Sequence, residues 1–428
     1  MTSTRRREIV SWSLYDFGSS AFNTLMVTFI FNFFFVKVMA SDVDTGTVLW
    51  TRALNISAVI VALISPVLGA AADYSGRKKH FLVFFGAVSV LFTSILFFVD
   101  PKSVLPALII FIVANTAFEA ANVFYYSFLP DVSQDEDIGR VSGYGFGAGY
   151  FGGLLCLVAG LALTRTLPEA PHYWNVRSTY LLVAAWFLIF ALPMALFVKQ
   201  KTPRREVHGG YVKHAFERLY DTAQHARRFK EAGKLVIARM IYNDGLVTII
   251  GMAAIYASAV LDMPLDQILV MAIVLNVFAG IGALSLGYLD DRIGGKKTIL
   301  ISLAGLIAAT SIGVGSGTVQ GFWVAAILIG LMMGPNQSAS RSLLSKLVPI
   351  EKQAEFFGLY SFSGKISSMF GPLAYGTIVA STGNHKLAMS SIIVFFVAGG
   401  LLLLTVREAE GMRLAGRGSA LEPATPPG

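Results

Sequence analysis

The chain is short of charge. Only 14% of its 428 residues are Asp, Glu, Lys or Arg, about half the ~25% usual in soluble domains. Hydrophobic residues make up 55% and the mean hydropathy is +0.64, so a soluble surface cannot be built from this composition. Disordered, collagen-like and disulfide-scaffold classes are excluded as well. Cysteine is nearly absent. The single one, Cys156, permits no intrachain disulfide and no metal site built on several thiols. It lies in an apolar run and reads as a small packed residue. The six histidines (His80, His172, His208, His214, His225, His385) all fall in expected loops or at helix ends. No buried imidazole is left for acid–base chemistry or metal ligation. Walker, GxSxG and HExxH motifs do not occur. The expectation is therefore no enzyme, no cofactor and no resident metal. The acidic stretch 131–140, with Asp131, Asp135, Glu136 and Asp137, lacks the spacing of a calcium loop and reads as solvated.

Long apolar runs are what the chain has in abundance. A hydrocarbon core ~30 Å thick needs ~20 apolar residues per helix. The runs predict twelve spans, near 11–38, 50–72, 80–99, 104–127, 141–163, 178–198, 235–260, 267–289, 298–316, 320–340, 355–380 and 387–406. This is an all-α, multi-pass membrane protein of an inner, plasma or internal membrane, with the lipid bilayer as its constant partner. Arg5-Arg6-Arg7 before an apolar run resembles a signal peptide. The run is too long and contains Asp16, so an uncleaved first helix is expected.

Lys and Arg set the orientation. Twelve spans put both termini on one side, and that side carries 26 Lys/Arg against 5 on the other. Among the 26 are Arg341, Lys346 and Lys352, assigned to the loop between spans 10 and 11. Both termini are expected in the cytoplasm. The net charge of +8 is thus a topology signal, and no nucleic-acid partner is expected. The organisation predicted is a cytoplasmic N-terminus (1–10), a six-helix half (11–198), a basic linker (199–234), a second half (235–406) and a disordered tail (407–428). Within the linker Val212, Phe216, Leu219, Ala223 and Ala226 recur at helical spacing, which fits a short interfacial helix.

The chain is written twice. Residues 69–79 read GAAADYSGRKK and residues 287–297 read GYLDDRIGGKK. Gly69, Asp73, Gly76, Lys78 and Lys79 match Gly287, Asp291, Gly294, Lys296 and Lys297. Pro130 likewise matches Pro349, and the small-residue row Gly145, Gly149, Gly153 matches Gly364, Ser368, Pro372. Such rows let helices approach closely. Both hairpins follow an even-numbered span, so the halves share one orientation, an arrangement that carries a central site at their interface. Glycines permit the tight turn. The carboxylate can meet the N-terminus of an inbound helix, in a contact made in one conformation and lost in another.

The first hairpin resembles the signature loop of the major facilitator superfamily, G-x-x-x-D-x-x-G-R-K, at Gly69, Asp73, Gly76, Arg77 and Lys78. The second copy has Gly295 in place of Arg77. Four further stretches, at 11–24, 124–153, 238–249 and 354–372, resemble the bacterial unidentified-major-facilitator family. That family is similar to the fungal autophagy-related vacuolar amino-acid effluxers. The resemblance implies a major facilitator fold, with spans 1, 4, 7 and 10 lining a central cavity, and export of neutral amino acids. Gly152-Gly153 lacks the Gly-Pro of multidrug antiporters.

Charges within the bilayer cost ~2.5–3.5 kcal/mol each on insertion scales, so each needs a reason. Asp16, Glu119, Arg239 and Asp244 all fall on spans expected to line the cavity. Asp244 and Glu119 are candidates for binding a substrate amine or a proton. Asp16 is expected to pair with Arg239 as a gate at the cytoplasmic end. Lys365 lies too deep in span 11 to reach water easily and needs a carboxylate partner or an anionic substrate group. Asn122 and Asn243 join this substrate or proton set. Asn23, Asn115, Tyr125, Asn276, Asn336 and Gln337 add polar groups within the spans. The function expected is secondary active transport of a small polar solute, with the proton as coupling ion. An inorganic cation such as iron is the alternative substrate, and a non-transporting sensor or assembly factor on the same fold is a further alternative.

Overall fold

The structure, a computed structural model, describes residues 2–169, 172–201, 217 and 229–417, and every element in it is helical. In chain order the helices are α1 (Ser3–Met39), α2 (Val43–Ser75), α3 (Lys78–Phe98), α4 (Val104–Val132), α5 (Ile138–Thr166) and α6 (Trp174–Phe197). The second half has α7 (Lys230–Leu261), α8 (Leu265–Ile293), α9 (Gly295–Gly315), α10 (Val319–Leu347), α11 (Gln353–Ser367), α12 (Phe370–Thr382) and α13 (His385–Leu404), followed by α14 (Glu408–Leu414). One apolar core is drawn from residues between Ile9 and Val198 together with Ala354, the other from residues between Phe229 and Val406 together with Val123. Leu63, Phe84, Leu105, Leu196, Val394 and Leu401, each more than 60% exposed, point outward as lipid-facing surface.

Local signals explain the breaks. Asp42 caps α2 by accepting from the Thr45 N–H at 2.8 Å, and Asn384 caps α13 by accepting from Leu387. The bonds from the Thr45 N–H and hydroxyl hold the exposed Asp42 carboxyl below its usual pKa. Gly76 ends α2 at φ 60°, and Gly294 separates α8 from α9 at φ 91°, so the repeat's glycines stand where a side chain would be strained. Small residues set the closest approaches, as membrane helices require. Gly152 lies on the Phe17 backbone and Gly334 on the Ala279 carbonyl. α1 widens into π-type turns over Phe22–Phe29 and Phe35–Met39, as the Phe22 ring stacks on Phe118 at 4.8 Å.

Several expectations are corrected. Among the described residues eleven single helices are long and apolar enough to cross a membrane. The stretch 355–380 is not one continuous helix but α11 and α12, broken at Ser368–Met369. α1 begins eight residues early, with Arg5 paired to Asp137. α10 runs seven residues past 340, stopping two residues before Pro349, which cannot continue a helix. The tail is helical over α14 rather than disordered from 407. Glu408 accepts from the N–H groups of Gly295 and Lys296 at the start of α9, and Glu410 pairs with Lys230 at 2.7 Å. The acidic stretch 131–140 is not a solvated loop, since Asp131 and Asp137 are buried in ion pairs. The expected linker helix around 212–226 and the tail from 418 lie outside the described residues.

Lys78 and Asp131 form an ion pair with 1% and 0% side-chain exposure. Breaking such a buried pair costs ~3–5 kcal/mol because one charge is stranded, whereas replacing both partners is nearly neutral. Asp131→Ala is expected to lower the thermal unfolding midpoint in detergent by several degrees, and Lys78→Met with Asp131→Leu to recover most of the loss. Equal midpoints for wild type and Asp131→Ala would contradict this.

Candidate functional site

The two hairpins of the repeat reach across the molecule. Asp73, near the end of α2 in the first half, accepts from the Glu355 N–H in the first turn of α11 at 2.8 Å. Asp291, near the end of α8 in the second half, accepts from the Gly139 and Arg140 N–H groups in the first turn of α5 at 2.7 and 3.2 Å. Each half thus offers a carboxylate to the positive end of a helix in the other. The glycines one turn earlier make room. A Cβ on Gly69 would overlap the Ala354 carbonyl, and one on Gly287 would lie 3.1 Å from the Gly139 carbonyl. The lysines tie each hairpin to its own half. Lys78 pairs with Asp131, Lys79 Nζ donates to the Val198 carbonyl at 2.7 Å, and Lys296 Nζ donates to the Leu404 and Val406 carbonyls, both at 2.7 Å. Arg77 is exposed.

Polar side chains continue this seam inward from the end that carries both termini. Ser142 Oγ donates to the Ser338 carbonyl at 2.9 Å, the Tyr144 and Tyr288 hydroxyls meet at 2.6 Å, and Tyr150 donates to Gln337 at 3.0 Å. Tyr150 is twelve residues into α5, or ~18 Å at 1.5 Å per residue. Equally far into its helix, Lys365 Nζ on α11 donates to Glu119 Oε1 on α4 at 2.6 Å, with both side chains about a quarter exposed. Lys365 therefore has the carboxylate partner its depth requires, and that partner comes from the opposite half. Asn122, half-buried, follows Glu119 by three residues on α4 and so lies on the same helix face.

Asn243 and Asp244 sit at the break between α11 and α12. Asn243 Nδ2 donates to Ser367 Oγ at 3.0 Å, and the Gly371 N–H in the first turn of α12 donates to Asp244 Oδ1 at 2.8 Å. Asp244 thereby caps the second segment of the broken helix. A Cβ on Gly371 would collide with Thr248 and Asp244, so the close approach needs glycine. The expected Asp16–Arg239 pair does not form. Arg239 lies over the Tyr360 ring at 3.5 Å and donates to the Tyr360 carbonyl at 3.2 Å, within its own half. Asp16 faces Arg341 at 3.7 Å.

Arg341 is the residue the sequence reading misplaces. It belongs to no loop but to the interior of α10, with no exposed surface. The available signal was Pro349, which allows the helix to continue to Leu347 and so encloses Arg341. Elsewhere Asn115 bonds to Ser57 and Asn336 to Ser302 between helices, both at 2.8 Å, while Asn276 donates within its own helix to the Ala272 carbonyl.

Two six-helix-like bundles that meet along a polar seam define the architecture of the major facilitator superfamily. The structure is similar to the human organic anion transporter MFSD10 (TETRAN), with a TM-score of 0.76 over 94% of this chain and 100% of that one, at 14% identity. The chain belongs to the family described as vacuole effluxer Atg22 like, which matches residues 34–416. It is 32% identical over 407 residues to an uncharacterized MFS-type transporter, YxiO, of Bacillus subtilis, covering 93% of this chain and 94% of the relative. It is 26% identical over 471 residues to autophagy-related protein 22 of Yarrowia lipolytica, covering 89% and 79%. It is a multi-pass integral membrane protein of a transporter family.

The close approach at Gly69 generates a test. With Cys156→Ala removing the native thiol, Ala354→Cys places a reporter at a fully buried point of the seam. Adding Gly69→Val is expected to wedge α2 from α11 and to raise maleimide labelling at least fivefold while the protein stays monodisperse. Unchanged labelling would show that the approach does not hold the seam shut.

Proposed function

We propose that the chain is a secondary active transporter that moves a small polar solute by alternating access between the halves 11–198 and 235–406. In this reading α11 and α12 together form one further pass, giving twelve, and both termini lie in the cytoplasm. The inter-half bonds named above gather toward the terminus end, which supports a state closed to the cytoplasm and open to the far side. Asp73, Asp291 and the glycines beside them serve as the gate.

The Glu119–Lys365 pair carries the substrate reading. It joins opposite charges from opposite halves in a partly open position, and a zwitterion offers the matching cation and anion. A neutral amino acid would bring its ammonium to Glu119 and its carboxylate to Lys365, breaking the inter-half pair on binding. Asn122 is placed to add a hydrogen bond on the Glu119 face. The description of the family as effluxers supports outward movement of such a solute. A proton on Glu119 or Asp244 is the proposed coupling ion: Glu119 would lose Lys365 when the halves rearrange, and Asp244 would lose the Gly371 N–H if α12 shifts against α7. The inorganic-cation alternative draws no comparable support: among the described residues no three His, Cys, Asp or Glu side chains gather where they could hold a metal ion.

Proteoliposomes carrying an internal pH dye test the proposal. Neutral amino acids added singly are expected to drive a proton flux in wild type. Glu119→Gln and Lys365→Met are each expected to reduce that flux at least tenfold, with Asp244→Asn removing the proton movement. Normal coupled flux in both Glu119→Gln and Asp244→Asn would remove these residues from the site.

A further inference from the structure

Arg341 is a plug that the second half inserts into a socket made wholly by the first. Its guanidinium carbon lies 4.8 Å from the Trp12 ring centre, 5.6 Å from Tyr125, 5.1 Å from Tyr126 and 4.2 Å from Phe146. These are cation–π distances. Nε donates to Ser142 Oγ at 3.0 Å and Nη2 to the Ser142 carbonyl at 2.7 Å. The remaining nitrogen, Nη1, is buried with no hydrogen bond and faces Asp16 Oδ2 at 3.7 Å. Trp12 is held in turn by donating to the Tyr125 carbonyl at 3.2 Å, and Tyr125 is stacked between Trp12 and Tyr15. Gly145 forms part of the wall, where a Cβ would come 2.9 Å from Nη2.

The arrangement sets a charge constraint. When the halves part at the terminus end, the whole socket stays with the first half and Arg341 leaves with the second. Arg341 is six residues from the end of α10, near enough for its long side chain to reach water. Asp16 would remain in the socket, facing the Tyr125 hydroxyl and Ser20 Oγ, both at 3.3 Å. Tyr15, Tyr126 and Tyr150 are the other titratable groups around it, and phenols stay neutral at working pH. A mostly buried carboxylate stripped of the cation it faces is destabilised. A proton is the smallest group that can take the place of Arg341.

We propose that Arg341 and Asp16 form a proton-dependent latch, engaged while Asp16 is charged and released when Asp16 takes up one proton. The guanidinium stays protonated in both states, so the released state holds one proton more than the engaged one. Falling pH therefore favours release, by up to tenfold in the released-to-engaged ratio per pH unit. The latch rests on the alternating-access reading and adds a switch distinct from Glu119 and Asp244. Arg341 acts as a positioning residue, closing the seam and setting the protonation of Asp16.

The test uses the full chain in nanodiscs without added solute, carrying Cys156→Ala and spin labels at Glu136→Cys and Lys297→Cys. These exposed positions lie on opposite halves at the terminus end. The long-distance fraction in a pulsed dipolar measurement is expected to grow from pH 8 to pH 5 with the slope of one proton. Asp16→Asn should be flat with pH and mostly long, Arg341→Gln should be long at pH 8, and Arg341→Lys should retain a pH response. A wild-type slope persisting in Asp16→Asn, or Arg341→Gln matching wild type, overturns the latch. Because no solute is present, failure of the amino-acid reading leaves this outcome untouched. Normal amino-acid flux with a flat wild-type pH response would overturn the latch alone.

Discussion

A carboxylate set against the first turn of a helix is the contact on which the rest of this molecule depends, and it is made twice. The first N–H groups of any helix lack partners within it. At α5 and α11 those groups would be stranded in the seam if the opposite half did not supply Asp291 and Asp73. The arrangement is reciprocal, so neither half satisfies its own inbound helix. Separation of the halves at this end then requires water or another acceptor to reach both helix starts together. The glycines beside the carboxylates bring the backbones close enough for bonds of 2.7 and 2.8 Å.

Behind that closure the charges fall into three kinds. Lys78–Asp131 and the lysine contacts with helix ends are internal to one half and fix the hairpins to rigid bodies. Arg239 and Asp244 are also satisfied within the second half, the latter holding the break between α11 and α12. Among the described residues, Glu119–Lys365 and Asp16–Arg341 join charges of opposite sign from opposite halves deeper in the bundle, with Arg140–Asp291 and Arg417–Asp135 doing so at the terminus end. The first is partly open and accessible to a solute. In the second the guanidinium is enclosed among rings and the carboxylate is only 13% exposed. On the proposed reading, a solute and a proton thus have separate points at which to act on the same seam.

Much of this was legible in the sequence. The composition demanded a membrane protein, and the repeat at 69–79 and 287–297 located both hairpins and their carboxylates. The need of Lys365 for a partner followed from depth alone, and the structure supplies Glu119. What failed was partner identity. Asp16 was matched with Arg239 by similar depth, but depth cannot say which faces of two helices meet. Arg341 reads as a loop charge because five polar residues surround it between Gln337 and Ser345, and the rings it meets, from Trp12 to Phe146, are far away in sequence. The break at Ser368–Met369 was also hidden, since Gly371 and Pro372 are ordinary in membrane helices and the capping Asp244 is distant in sequence. The same holds for α14, whose anchors are on α7 and α9.

The central claim is that the two carboxylate–helix contacts hold one end of a two-body molecule shut. Paired spin labels at both ends test it directly: Glu136 with Lys297 at the terminus end, and Lys102 with Lys386 at the far end, all exposed positions. In the Asp73→Ala, Asp291→Ala double variant the account predicts a longer distance at the first pair and a shorter one at the second, as two rigid halves rock about the seam. Distances unchanged at both ends, or lengthening at both, would contradict it.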